Sequence, residues 1–204
     1  IWIAQREGRA KDSDDRTQES VLKMMAMGGT GTPAERLMQL NIVPLSISYE
    51  YDPCDYLKAK EFQLKRDNPD YAKSRADDLE NMRVGIFGRK GHVHYEMARP
   101  INTWLPELAE LPKATLFRET AARIDKEIHR GYHLYPGNYV AADLLDGGQS
   151  HADHYTAAER QLFEEYVASR VALVDLPRRD DNFLRERILT MYANPLLNHQ
   201  AARG

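Results

Sequence analysis

The sequence has 204 residues, of which 42% are hydrophobic and 29% are charged. This mixture can bury a core, which excludes a wholly disordered chain. Lys and Arg total 28 against 31 for Asp and Glu, a formal net charge of −3. Nucleic-acid binding through bulk positive charge is therefore not expected.

The cysteine content and the hydropathy pattern limit the compartment and the kind of membrane contact that we expect. Cys54 is the single cysteine, so it cannot form an internal disulfide or a multi-cysteine zinc site, and a reducing, cytoplasmic compartment is expected. No apolar run reaches the roughly 18 residues of a spanning helix, so a membrane contact would be peripheral. The chain begins with Ile1 rather than Met and shows no signal-peptide pattern; we expect it to be a piece of a longer protein.

Three strands are predicted in the first half of the chain. The β-branched and aromatic residues at the start predict a buried strand that delivers a polar loop. Pro44 is expected near the start of the second strand or on a sheet edge, because proline cannot donate to a ladder. The predicted strands cover residues 1–4, 42–49 and 91–97.

Helices are predicted between these strands and through almost all of the second half. Two capping boxes, Thr32 with Glu35 and Thr156 with Glu159, are strong helix starts. The final helix is expected to end before Pro195. Apolar spacing places the helices within 17–27, from 33 to about 41, and over 56–64, 74–83, 112–131, 140–145, 157–173 and 183–193. The predicted fold class is α/β, a partial sheet with flanking helices followed by a helical C-terminal tail.

The polar loop after the first predicted strand has the composition of an anion site. Gly8 permits a close backbone approach, Arg9 offers a planar fork, and Lys11 offers a point charge to a phosphate. Arg9 and Lys11 are two apart, so in an extended loop they project to the same side. Arg6 and Arg16 are weaker candidates. On spacing alone, a solvated charged loop is the alternative.

Residues 1–11, Ile-Trp-Ile-Ala-Gln-Arg-Glu-Gly-Arg-Ala-Lys, resemble the third conserved block of the glycerol-phosphate and lysophospholipid acyltransferase family, in which a strand feeds a Glu-Gly-Arg type loop. Residues 42–49, Ile-Val-Pro-Leu-Ser-Ile-Ser-Tyr, resemble the fourth block, and segments within 49–61 and 91–101 are similar to the family sequence beyond that block. The resemblance implies an acyltransferase-type sheet, with 1–104 as the C-terminal part of that domain and 105–204 as a helical extension.

The resemblance also implies roles for individual residues. In the family this loop holds the phosphate of the acyl acceptor, so Gly8, Arg9 and Lys11 would bind the phosphate. Glu7 would order the loop or hydrogen-bond the acceptor. Pro44 would shape the wall near the acyl thioester, as a structural residue.

The reaction that the resemblance implies is transfer of a fatty acyl group, from acyl-CoA or acyl carrier protein, to the hydroxyl of a glycerol-phosphate or lysophospholipid in phospholipid synthesis. The general base is the His of an Asn-His-x-x-x-x-Asp block. That block precedes the third block, where this chain starts. We therefore expect no catalytic residue here, no activity of this chain alone, and no need for a metal or redox cofactor.

The histidines of this chain do not supply that base. Asn198-His199 has the right start, but Gly204 stands where the Asp is required. His154 is followed five residues later by Glu159, yet the residues before it do not match the family. Neither histidine is expected to be catalytic.

For three further groups of residues, a functional role and a structural role are both considered. His92 and His94 alternate on a predicted strand and either line a site or occupy an exposed face. The segment His151-Ala152-Asp153-His154 suggests a metal site, but the ligands are too close in sequence and no His-Glu-x-x-His pattern is present, so no metal is expected. Cys54 is expected to be a passive thiol.

The lipid product implies a peripheral contact at the cytoplasmic face of the membrane. Arg83, Arg89, Lys90 and Arg99 stand against Glu96 alone between residues 83 and 100, a pattern that suits anionic headgroups or, alternatively, a solvated turn. A rival to the enzyme is a non-catalytic module that binds a phosphorylated ligand or an anionic membrane through the same loop.

Overall fold

The computed structural model describes residues 1–8 and 10–204, which form a mainly helical α/β fold with a two-stranded antiparallel sheet. The helices are α1 (Glu19–Met25), α2 (Pro33–Gln39), α3 (Asp55–Asp67), α4 (Arg75–Phe87), α5 (Lys113–Arg130), α6 (Pro136–Asp146), α7 (Ala157–Ala172) and α8 (Asp181–Arg203). The strands are β1 (Leu45–Tyr49) and β2 (Val93–Met97), and short 3-10 turns cover Ile101–Thr103, Leu105–Leu108 and Ala152–His154.

Local capping determines where several helices begin. Thr32 Oγ1 accepts a hydrogen bond from the Glu35 amide at 3.3 Å, and the Glu35 carboxylate accepts one from the Thr32 amide at 2.6 Å. Thr156 caps α7 in the same way, as predicted, and Ser74 caps α4. Each reciprocal box satisfies two amides that would otherwise have no helical partner.

The sheet turns its polar face inward. Leu45 lies opposite Met97 and Tyr49 opposite Val93. Ser46 and Ser48 are buried; the Ser46 hydroxyl donates to the Ile128 carbonyl of α5 at 2.6 Å, and the Ser48 hydroxyl accepts from the His133 amide at 3.0 Å. The opposite face, which we call the apolar sheet face, consists of Leu45, Ile47, Tyr49, Val93, Tyr95 and Met97.

Two hydrophobic clusters hold the helices together. The first is centred on α6, α7 and α8 and includes Val140, Val167 and Ile188. The second joins α1, α2 and α5 to the turns after β2 and includes Leu37 and Phe117. Both clusters contain residues from each side of residue 104, and the division into 1–104 and 105–204 stays a prediction.

Two predicted elements are wrong. Residues 1–4 are exposed and form no strand, because a strand needs a hydrogen-bonding partner and, within the described residues, the sheet pairs β1 only with β2. The last helix does not stop before Pro195, which lies inside α8. An internal proline costs about 3 kcal/mol, but α8 buries residues on both sides of it, including Leu189, Tyr192 and Leu196, and this packing outweighs the cost.

Candidate functional site

The predicted phosphate loop is a closed loop whose two ends meet. The Gln18 amide donates to the Gln5 carbonyl at 2.9 Å, and the Glu7 amide donates to the Gln18 side-chain oxygen at 2.9 Å. Gln18 is also the N-cap position of α1. The loop therefore leaves and returns at one point and leads directly into a helix, an arrangement common among functional surface loops.

The loop is open to solvent next to the hydrogen bonds that close it. Glu7 and Gly8 are exposed, and the Gly8 φ of +69° lies in the left-handed region that favours glycine. A Cβ at Gly8 would meet nothing within 4 Å, so backbone conformation rather than crowding explains the glycine. Arg9, the residue with the strongest predicted phosphate contact, lies outside the described residues.

Lys11 is oriented by a carboxylate of α3. Its ammonium forms an ion pair with Glu61, whose side chain is 8% exposed. The ammonium of Lys65 lies 3.4 Å from the same Glu61 oxygen. Two cations thus share one carboxylate, and much of the attraction of Lys11 is directed toward Glu61.

The return arm of the loop is fixed by polar side chains of α8. Asn198 accepts a hydrogen bond from the Arg16 guanidinium at 2.8 Å and donates to the Asp14 carboxylate at 3.0 Å. Asn194 donates to the Asp12 carbonyl at 2.8 Å. Arg16, a weaker sequence candidate for phosphate binding, is thus a residue that ties the loop to α8.

Asp125 of α5 anchors the end of the same arm. Its Oδ1 accepts hydrogen bonds from the Thr17 amide at 2.8 Å and the Thr17 hydroxyl at 2.5 Å. Burial raises the pKa of Asp125, and the hydrogen bonds from Thr17 oppose that shift. Sequence reasoning missed Asp125, Asn194 and Asn198 as loop anchors. One signal for Asp125 was present, since it follows Ile124 and Ala121 on the apolar face of a predicted helix.

A buried histidine lies on α5 one turn beyond Asp125. His129 is 3% exposed, and burial, followed by the charge of Arg16, lowers its pKa, while Asp125, Asp15 and Asp14 act in the opposite direction. Its Nε2 has no hydrogen-bond partner within residues 1–8 and 10–204. A neutral ring is the form that this environment favours.

The histidines that the sequence analysis considered as a catalytic base or as site residues have local partners in the structure. The His199 Nδ1 lies 2.8 Å from the His129 carbonyl oxygen, so it serves as a donor to the backbone. His92 contacts Glu50 with a side chain that is 85% exposed, and the His94 ring lies 4.9 Å from His133. These contacts bring none of the three to the phosphate loop.

The segment 151–154, which the sequence analysis considered as a metal site, packs against neighbouring side chains, and so does Cys54. His151 Nδ1 lies 2.8 Å from buried Asp143, and His154 stacks on Tyr139 with ring centroids 4.3 Å apart. In the described part of the chain, no group of three or more His, Cys, Asp or Glu side chains could hold a metal ion. Cys54 is buried and its Sγ donates to the Asn81 carbonyl at 3.4 Å.

Pro44 precedes β1, as predicted, and is buried. Its carbonyl accepts a hydrogen bond from the Ala98 amide at 3.0 Å, which extends the pairing between the two strands.

No helix in the described residues is both long and apolar enough to cross a bilayer. No protein-family model, curated protein or solved structure matches this chain, so the acyltransferase resemblance rests on its sequence blocks alone.

Proposed function

We propose that this chain is the phosphate-binding part of an acyltransferase that transfers a fatty acyl group from acyl-CoA or acyl carrier protein to a glycerol-phosphate or lysophospholipid hydroxyl. The observation that carries the proposal is the loop of residues 5–18. Glu7 and Gly8 are exposed beside the point where the loop closes, and α3, α5 and α8 all contribute side chains that fix its arms.

The loop has the chemistry of an acceptor site. A phosphate carries up to two negative charges, and the Lys11 and Lys65 ammonium groups that pair with Glu61 are cations available to it. Arg9 would add a bidentate contact, and charge-assisted hydrogen bonds of this kind contribute about 1.5–3 kcal/mol each. The open space at Gly8 leaves the backbone accessible to the ligand.

The proposed reaction needs a base from another part of the enzyme. A histidine of an Asn-His-x-x-x-x-Asp block takes the proton of the acceptor hydroxyl. The hydroxyl oxygen then forms a bond to the thioester carbonyl carbon, the carbon–sulfur bond breaks, and the thiolate leaves with the proton from the histidine. In this scheme Arg9 and Lys11 hold the acceptor phosphate so that the hydroxyl stays aligned with the thioester.

Exposed apolar surface supports a larger assembly. On the apolar sheet face, Tyr95 and Met97 are 58% and 73% exposed. Exposed apolar patches of this kind mark interaction surfaces. We propose that the part of the acyltransferase carrying the catalytic block covers this surface.

The proposal is tested by titrating the chain with glycerol 3-phosphate and, separately, with glycerol, using isothermal titration calorimetry. Binding that requires the phosphate is expected, weakened about 10- to 100-fold by Arg9→Ala. Arg118→Ala is the matched control, since its side chain on α5 is 65% exposed and pairs only with its neighbour Glu119 in the described structure.

Equal binding of glycerol and glycerol 3-phosphate, or an Arg9→Ala affinity equal to that of the wild type, would contradict the proposal. An acyl-transfer assay separates the enzyme from the non-catalytic module. The proposal expects turnover from the protein that includes the catalytic block and none from residues 1–204 alone.

A further inference from the structure

A cavity of about 310 Å³ lies between the loop that follows β1, the end of α4 and α7. Leu162 and Arg89 are exposed at its mouth, whereas the Arg170 side chain, 17% exposed, lies deeper. The volume is at the lower end of the range for small-molecule sites, so it suits a ligand with a single ring. None of the described residues of the predicted phosphate loop, 5–18, lines this cavity.

Three tyrosine rings hold the two guanidinium groups of the cavity. The guanidinium carbon of Arg170 lies 4.5 Å from the ring centroid of Tyr56 and 5.7 Å from that of Tyr166. The guanidinium carbon of Arg89 lies 5.4 Å from the ring centroid of Tyr51, and the Tyr51 and Tyr166 centroids are 4.6 Å apart. Since these rings already attract two cations, a positively charged ligand is disfavoured in the cavity.

The two guanidinium groups differ in their capacity to bind a ligand. Arg170 donates from Nε to the buried Asp55 carboxylate at 2.6 Å and from Nη2 to the Pro53 carbonyl at 2.6 Å, which fixes the group and compensates its charge. Within the described residues, Arg89 donates no side-chain hydrogen bond and has no carboxylate within 4.0 Å of its guanidinium nitrogens. Arg89 is therefore the group that can bind an anion, through its N–H donors.

Glu50 acts on Arg89 only from a greater distance. Burial would raise the pKa of Glu50, but hydrogen bonds from His92 and the charges of His92 and Arg89 lower it. Its Oε2 accepts a hydrogen bond from the His92 amide at 2.8 Å. Because His92 holds this carboxylate, the donors of Arg89 remain available to a ligand.

Much of the remaining wall of the cavity is apolar. Pro53, Val84 and Leu162 line it. The end of α4 lies against Pro53 because residue 88 is glycine, and a Cβ at Gly88 would collide with the Pro53 side chain. The cavity thus combines an apolar and aromatic wall with one available guanidinium, a composition that suits an apolar ring carrying a negative charge.

We propose that this cavity binds a small aromatic carboxylate, with its carboxylate on Arg89 and its ring against the apolar wall. A guanidinium binds a carboxylate through two parallel hydrogen bonds. One available guanidinium matches the single charge of a carboxylate better than the two charges of a phosphate. The site is separate from the proposed acceptor site, since the two share no described residue.

The test is isothermal titration calorimetry with phenylacetate and with its uncharged analogue phenylacetamide. The wild-type chain is expected to bind phenylacetate at least about tenfold more tightly than phenylacetamide, and Arg89→Gln is expected to remove that difference. Arg75→Gln is the matched control, because Arg75 is also an exposed arginine and begins α4 but does not line the cavity.

A second variant fills the cavity without changing its charge. Ser169 is an exposed residue of α7 that lines the cavity, so Ser169→Trp is expected to weaken the binding of both probes at least about tenfold. Ala168→Trp is its control, since Ala168 is exposed on the same helix and does not line the cavity. Circular dichroism verifies that the variants are folded.

Each of four results would overturn the proposal: no binding of phenylacetate at millimolar concentration, equal binding of the two probes, unchanged phenylacetate binding by Arg89→Gln or by Ser169→Trp, or tighter binding of phenyl phosphate than of phenylacetate. Arg9→Ala distinguishes this site from the acceptor loop, since it is expected to bind phenylacetate as the wild type does. Binding of phenylacetate without binding of glycerol 3-phosphate would reject the proposed function and retain this site.

Discussion

Asp125 Oδ1 accepts two hydrogen bonds from Thr17, one from its amide at 2.8 Å and one from its hydroxyl at 2.5 Å. The two residues are 108 positions apart, one in the loop predicted to bind phosphate and the other in the predicted helical extension. Helix α5 therefore fixes the return arm of the loop and also packs in a hydrophobic cluster that contains residues from both sides of residue 104. Its predicted contribution to function is to hold the acceptor loop in one conformation.

Replacement of Asp125 tests this anchoring. Asp125→Ala removes both hydrogen bonds from Thr17, and we expect the free energy of unfolding to fall by about 2–3 kcal/mol. Asp125→Asn retains an oxygen that accepts both, so a loss under about 1 kcal/mol is expected. Urea unfolding measures both values. An equal loss for the two variants would show that charge, and not hydrogen bonding to Thr17, is the important property.

Lys11 pairs with Glu61 and is also predicted to bind the phosphate, so its replacement should affect stability as well as binding. Lys11→Met leaves the Glu61 carboxylate with the more distant Lys65, and because Lys11 is partly exposed the expected loss of unfolding free energy is about 1–2 kcal/mol. In a double-mutant cycle, Glu61→Gln should recover part of that loss, since it removes the unpaired charge. Additive effects of the two changes would contradict a direct interaction.

We expect His129 to cause part of the change in the free energy of unfolding with pH. Its folded pKa is below the ordinary value near 6.5, so below about pH 6.5 the unfolded state takes up a proton that the folded state resists. The free energy of unfolding is therefore expected to fall between about pH 7.5 and pH 5.5. His129→Gln should reduce this fall. The same slope in the variant and the wild type would rule His129 out as its source.

Local sequence signals predicted most helices, because capping boxes such as Thr32 with Glu35 act within four residues. The first predicted strand was wrong because a strand depends on a partner that local composition does not reveal. The predicted helix end before Pro195 was wrong for a similar reason. Helix α8 continues through Pro195 because it packs against helices that are distant in the sequence. The phosphate loop stays a prediction, and its anchors, Asn198 among them, are brought to it only by tertiary packing.

A second buried polar group should dominate the stability of the helical core. Asp55 is fully buried and accepts hydrogen bonds from Arg170 at 2.6 Å, Tyr166 at 2.6 Å and Tyr192 at 3.1 Å. Asp55→Ala leaves the Arg170 guanidinium without its carboxylate, and a loss of about 3–5 kcal/mol is expected in urea unfolding.

Asp181→Ala is the control for that change, because the Asp181 side chain is 59% exposed in its pair with Arg179 and should cost under about 1 kcal/mol. Similar losses at the two positions would mean that the Asp55 group contributes no more than a surface ion pair.

The most direct test of the proposed function is the initial rate of acyl transfer by the protein that includes the catalytic block, with acceptor and thioester varied in turn. Arg9→Ala should raise the acceptor KM about 10- to 100-fold, the value of one or two charge-assisted contacts, and leave the thioester KM within about twofold. Equal increases in both KM values, or the absence of acyl transfer by the wild-type protein, would contradict the assignment of this loop to the acceptor phosphate.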